Sequence, residues 1–192
     1  DEAIEVLTEH GAQAELDDQR SDGTPLPNTV EFLGELRPPQ RRAFEALTGH
    51  DTGVLAATTA FGKTVVASAL IGHRARNTLV LVHRRELLDQ WVERLKTFLQ
   101  IDPKQIGTIG GGRRKPTGVI DVALIQSLVR NGEVDDIVAD YGQLIVDECH
   151  HLSAASFELV ARRTKARYVV GLSATVARKD GHHPIIFMQC GP

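Results

Sequence analysis

Gly53-Val54-Leu55-Ala56-Ala57-Thr58-Thr59-Ala60-Phe61-Gly62-Lys63-Thr64 holds a short apolar strand, a run of small residues, and Gly-Lys-Thr where a helix opens. This is the layout of a phosphate-binding loop. Its backbone N–H groups and those of the helix N-terminus converge on one spot, which the helix dipole makes favourable for an anion. Lys63 adds a charge that can reach β- and γ-phosphates, and the Thr64 hydroxyl can ligate Mg²⁺. The pattern G-x-x-x-x-G-K-[ST] is broken at its first position, which is Ala57. Alanine tolerates positive φ poorly, so ordinary backbone angles are expected there. The competing reading is a chance Gly-Lys-Thr on a surface turn. It loses ground because a strand precedes the triplet and a helix follows it, as phosphate binding requires.

On the N-terminal side, Leu36-Arg37-Pro38-Pro39-Gln40 leads into a helix expected over Gln40 to Thr48. Two prolines fix the backbone at a helix entry, giving a rigid platform for Arg37 and Gln40. A glutamine amide carries donor and acceptor side by side, so Gln40 can pair with the N6 and N7 edge of adenine. The plain alternative is a solvated glutamine at a helix start. Further back, residues 2–10 read as a short amphipathic helix stopped by Gly11, Gln13 to Asp18 as a strand, and Ser21-Asp22-Gly23-Thr24-Pro25 as a turn. Val30 to Leu33 reads as the returning strand of a hairpin. Residues 1–35 show no chemistry and are expected to be an appendage to a domain spanning 36–192.

On the C-terminal side, strands and helices alternate. A helix is expected over Lys63 to Arg76, a buried strand over Leu79 to Val82, and a helix over Glu86 to Leu99 with Leu87, Leu88, Trp91, Leu95 and Phe98 near 3.6 spacing. Ile106 to Ile109 follows as a strand, Gly110 to Lys115 as a flexible basic loop, Val119 to Ile125 as a strand, and Val134 to Ala139 as a helix. Leu144 to Val146 is a strand, Ala154 to Arg163 a helix, and Tyr168 to Leu172 a strand. This is the pattern of βαβ units: an α/β fold with a mainly parallel sheet between two helical layers. Ligands in such folds sit at the carboxyl ends of the strands, and each candidate polar cluster singled out below follows an apolar strand at that end.

Asp147 ends one strand and can hold Mg²⁺, directly or through water. Glu148 is placed to orient and deprotonate the water that attacks a γ-phosphate. Ser173-Ala174-Thr175 offers small hydroxyls that can bond to Asp147 and Glu148 or to a neighbouring element. Arg84 and Arg85 can hold phosphates of a nucleic-acid strand with help from Ser127; for Arg113-Arg114-Lys115 a solvated loop is an equal alternative, and Arg178-Lys179 is a further basic cluster.

The 192 residues suffice for one substantial α/β domain. A formal net charge of −3 means that any nucleic-acid surface is a local patch. No apolar run is long enough to span a bilayer, so no membrane partner is expected. Two cysteines, Cys149 and Cys190, make no disulfide framework, and a reducing cytoplasm is the expected setting. Cys149-His150-His151, His182-His183 and Cys190 match no paired zinc-ligand spacing. The chain begins Asp1-Glu2 and ends Gly191-Pro192, as expected of a piece of something longer.

Taken together these residues resemble superfamily 2 helicases and translocases, in their first RecA-like domain. Leu36 to Gln40 is similar to the adenine-reading Q motif, Ala57 to Thr64 to motif I, and Leu79 to Leu88 to motif Ia. Gln126-Ser127-Leu128 is similar to the later nucleic-acid-contacting motif, Asp147-Glu148-Cys149-His150 to a DEAH-type motif II, and Ser173-Ala174-Thr175 to motif III. The nearest flavour is the group holding the excision-repair helicase and the type I and III restriction translocase subunits. The resemblance covers residues 33–192 and implies a RecA-like P-loop NTPase domain using ATP and Mg²⁺. It implies nucleotide contacts from Arg37, Gln40, Thr59, Ala60, Phe61, Gly62, Lys63 and Thr64, metal contacts from Thr64 and Asp147, and hydrolysis by Lys63, Asp147 and Glu148. It also implies nucleic-acid contacts from Arg84, Arg85, Gln126 and Ser127, with coupling through His150, Ser173 and Thr175. The resemblance implies movement along DNA, or less often RNA. A second RecA-like domain is implied too, bearing the arginines that complete the ATP site, and without it hydrolysis is expected to be slight. The rivals are a small-molecule kinase, which leaves Gln40 and Ser173 to Thr175 without a role, and a nucleotide-gated nucleic-acid-binding switch, which has no need of Glu148.

Overall fold

The computed structural model describes His10, residues 17–149 and residues 154–174. Residues 2–9 of the helix expected over 2–10, residues 13–16 of the strand expected over 13–18, and His150, His151, Thr175, Arg178, Lys179, His182, His183 and Cys190 lie outside the described residues.

Helix α1 is Pro38–Thr48, β1 is Thr52–Ala56, α2 is Lys63–Arg74, β2 is Thr78–Val82 and α3 is Arg85–Phe98. Strands β3 (Ile106–Gly110), β4 (Arg113–Lys115) and β5 (Ile120–Leu124) follow, then a single turn of helix α4 (Ile125–Leu128). A small hairpin of β6 (Val129–Arg130) and β7 (Glu133–Val134) precedes β8 (Gln143–Val146), α5 (Ala154–Arg163) and β9 (Tyr168–Ser173).

The main sheet has seven strands in the order β1-β9-β8-β2-β5-β3-β4. Every pairing in it is parallel except β3 with β4. All five residues of β2 and all four of β8 are buried, as strands covered on both faces must be. Period-two alternation divides β2 between two cores. Val80 and Val82 join Leu47 of α1, Val66 and Leu70 of α2, and Leu88, Trp91 and Leu95 of α3. Leu79 and Leu81 join Ile125 and Leu128 of α4 and Phe157 and Val160 of α5. The result is the expected three-layer α/β sandwich.

Several elements differ from the sequence expectation. Helix α1 starts at Pro38 rather than Gln40, because a proline in the first turn has no N–H to leave unbonded. Helix α2 stops at Arg74, where Ala75 turns left-handed at φ 49°. The basic loop is strand β4: Gly110, Gly111 and Gly112 all take positive φ and fold Arg113–Lys115 back onto β3. There Arg113 pairs with Asp89 and Arg114 with Asp135. The helix expected over Val134 to Ala139 is instead β7 plus a 3₁₀ turn over Asp136–Asp140. The positive-φ pair Asn131-Gly132 makes the tight β6–β7 turn that consumes its start.

The expected hairpin strand at Val30 to Leu33 is a single antiparallel bridge between Phe32 and Leu99. Leu26 and Val30 are buried in the same core as α1 and α2. At the opposite edge from the strand carboxyl ends, the buried Asp121 accepts hydrogen bonds from Thr117, Gly118 and Tyr141.

Candidate active site

Strands β1, β9 and β8 are neighbours, so the loop after β1, the end of β9 and Asp147-Glu148 after β8 meet at one edge. The loop takes one 3₁₀ turn over Thr59–Phe61 and enters α2 through Gly62 at φ 86°. A Cβ at Gly62 would stand 2.6 Å from Gln40 Nε2, so this position needs glycine twice over. Ala57 is not among the residues with positive φ, as expected of an alanine in the first-glycine position. Its N–H donates to the Ser173 carbonyl at 3.0 Å, and its own carbonyl accepts from Lys63 Nζ at 3.0 Å.

Arg37 and Gln40 are brought to the loop from α1. Gln40 is buried. Its Oε1 accepts from Arg37 N at 2.9 Å, and its Nε2 donates to the Phe61 carbonyl at 2.7 Å. Arg37 Nη2 donates to the same carbonyl at 2.5 Å. Both ends of the Gln40 amide are therefore engaged with backbone, and what the pair does in this structure is shape the loop.

The carboxylates sit across from Lys63. Asp147 is 7% exposed, and burial raises its pKa, opposed by a hydrogen bond from Trp91 and by the Lys63 charge. Trp91 Nε1 donates to Asp147 Oδ2 at 2.7 Å, and Glu148 N donates to Oδ1 at 3.0 Å. Glu148 Oε1 lies 3.8 Å from Lys63 Nζ. Glu148 also takes φ 47°, a left-handed conformation that is strained for any residue but glycine or asparagine. An open cavity of about 400 Å³ is lined by Thr59, Gly62, Lys63, Thr64, Trp91, Asp147 and Glu148. Ala60 and Phe61 belong to the loop but not to this lining.

The donors toward a metal are oxygens, the Thr64 hydroxyl and the Asp147 carboxylate. Among the described residues there is no group of three or more His, Cys, Asp or Glu that could cage a metal. Few protein ligands and hard oxygen donors suit Mg²⁺, which keeps waters and phosphate oxygens as its remaining ligands.

A second cavity, of about 480 Å³, adjoins the first and shares Thr59, Leu87, Gln90 and Glu148 with it. His83 and Arg84 also line it. Register explains the grouping: β2 lies beside β5 with Val82 opposite Leu124, so His83 to Arg85 emerges next to Gln126-Ser127. Gln126 Nε2 donates to the His83 carbonyl at 3.2 Å. Arg84 and Arg85 are exposed and form no ion pair among the described residues. Ser173 is buried and hydrogen-bonds Cys149, whose thiol burial pushes up to about 12. Trp91, Gln90 and Cys149 were not evident as site residues. For Trp91 a signal existed, since a buried indole N–H normally finds a partner.

Residues 33–178 match the family described as type III restriction enzyme, res subunit. The DNA 3'-5' translocase XPB2 of Sulfurisphaera tokodaii is 31% identical over 180 residues, 94% of this chain and 39% of its own length. The DNA 3'-5' helicase XPB of Mycobacterium tuberculosis is 30% identical over 178 residues, 89% of this chain and 32% of its own. The chain thus spans about a third of the length of these relatives. Among solved structures, the UvsW helicase of bacteriophage T4 superimposes with a TM-score of 0.72 at 17% identity, covering 98% of this chain and 74% of that one. The Sulfolobus solfataricus SWI2/SNF2 ATPase core in complex with double-stranded DNA gives 0.62 at 16% identity, covering 88% and 38%. These two likenesses speak for the fold.

Proposed function

The chain belongs to the type III restriction enzyme res subunit family, as the first RecA-like domain of a superfamily 2 helicase, and from that membership we propose that it is the ATP-binding half of a motor that hydrolyses ATP to move along DNA. The observation that carries the reading is the single cavity in which Lys63, Thr64, Asp147 and Glu148 face one another, joined to a second cavity that Arg84 lines. Arg37 and Gln40 hold the loop from behind and set the edge against which adenine rests. Lys63, now bonded to Ala57 and close to Glu148, turns its charge to the phosphates. Thr64 and Asp147 hold Mg²⁺, which when bound neutralises phosphate charge. Glu148 orients the attacking water and takes its proton.

Arg84, Arg85, Gln126 and Ser127 grip the phosphates of one DNA strand, and the relatives' names favour DNA over RNA. Ser173 sits on β9 between the loop, through Ala57, and Cys149 of the acid motif; with His150 and Thr175 it senses nucleotide state. A second RecA-like domain closes the site with arginines, so this chain alone turns over ATP slowly. The protein works in the cytoplasm. A switch without hydrolysis finds no support, because the relatives are named as helicases and translocases.

The test is calorimetry with Mg²⁺·ATP on the parent and on Lys63→Ala. Binding lost with the fold intact is expected, and unchanged affinity overturns the reading. Vigorous DNA-stimulated turnover by this chain alone overturns the need for a second domain.

A further inference from the structure

We propose that Trp91 is a positioning residue for the Asp147 carboxylate, holding it ready for Mg²⁺ by donating its indole N–H to Oδ2 across 2.7 Å. The proposal rests on the nucleotide reading given above. Trp91 comes from the middle of α3, in a different strand–helix unit from Asp147. It is 2% exposed and packs with Val66, Leu70, Leu88 and Leu95. Packing therefore fixes the ring, and its one polar atom has one address. The other carboxylate oxygen is held by the Glu148 N–H at 3.0 Å.

Two donors from two elements clamp the carboxylate against rotation. An ionised carboxylate has about four acceptor directions, so each oxygen keeps capacity for a metal or its water. Thr64 lines the same cavity as Trp91 and Asp147, so the clamped oxygen and the hydroxyl open onto one space. A core aromatic needs no such bond for packing: phenylalanine fills much of the same volume. What only tryptophan supplies at this site is the N–H. Groups that hydrogen-bond a metal-ligating carboxylate orient it, and losing one typically costs about 10- to 100-fold in metal affinity or activity.

The experiment replaces Trp91 in two ways. Trp91→Phe removes the donor and some volume. Genetic encoding of β-(3-benzothienyl)alanine keeps the bicyclic shape and puts sulfur in place of the N–H. The measurement is the Mg²⁺ concentration that half-saturates binding of a fluorescent ADP analogue, read by polarisation, together with metal-free ADP binding and the thermal melt. The expected result for the sulfur isostere is a parent-like melt, unchanged metal-free binding, and a Mg²⁺ midpoint raised about 10- to 100-fold. Trp91→Phe should raise the midpoint similarly if it folds, and the isostere decides if it does not. An unchanged midpoint in the isostere overturns the proposal and leaves Trp91 a core residue. A parent chain that binds ADP without regard to Mg²⁺ overturns the metal role of Asp147 and the proposal together, which separates the two failures.

Discussion

Asp121 and Asp147 are both buried aspartates of the same sheet, at opposite ends of its strands. Asp121, at the amino edge, is saturated. Its oxygens accept from Thr117 N at 2.8 Å, Thr117 Oγ1 at 3.1 Å, Gly118 N at 2.8 Å and the Tyr141 hydroxyl at 2.5 Å. Asp147, at the carboxyl edge, has one donor on each oxygen and opens onto a cavity. One carboxylate is spent on tying a turn to β5. The other is oriented but left with unused lone pairs. In a buried acid, the count of donors distinguishes a staple from a site.

The sharpest separation of the two edges is chemical. Glu148→Gln, beside Asp147, should lower ATP hydrolysis by the full-length protein about 10²- to 10⁴-fold, measured by phosphate release, while nucleotide affinity is kept. Retained turnover would remove Glu148 as the base. Next comes stability. Asp121→Ala strands several buried donors and should cost about 3 kcal/mol in urea melts, whereas Asp147→Ala strands fewer, the Trp91 and Glu148 N–H groups beside a cavity, and should cost less, about 2 kcal/mol. The reverse order would break the contrast drawn here.

The smallest effect is Tyr141→Phe, about 1 kcal/mol at pH 7 for one hydrogen bond whose acceptor keeps its other donors. Burial, and then the bond to Asp121, raises the Tyr141 pKa above its ordinary 10.0. The folded state thus keeps a proton that the unfolded state releases near that pH. This contribution is fully present below about 10 and is lost as pH rises beyond it. Alkaline melts should decline less steeply in Tyr141→Phe than in the parent, and equal slopes would refute the linkage.

The layered fold was legible because the apolar runs at β2, β5, β8 and β9 are short, continuous and each followed by polar residues. The same signal put Lys63, Asp147, Glu148, Arg84 and Gln126 on one edge, where the structure has them. What escaped depends on other information. Strand β4 hides behind three glycines that read as looseness but act as a turn. Trp91 fits the helical apolar stripe, and periodicity reports which way a side chain faces, not which atom 56 residues away it will meet. Gln40 illustrates the converse: its chemistry allows adenine pairing, but burial has given both amide ends backbone partners. Asp121 lies inside a strand that the sequence shows, but nothing local marks its carboxylate as saturated.

The left-handed backbone at Glu148 sets folding against work at a single residue. Glycine there would relieve on the order of 1 kcal/mol of strain, so a screen that rewards only survival of heating should drift away from glutamate at 148. A screen that rewards fuel consumption should bring it back. Which residue prevails would reveal whether a population of such chains was being kept for endurance or for motion.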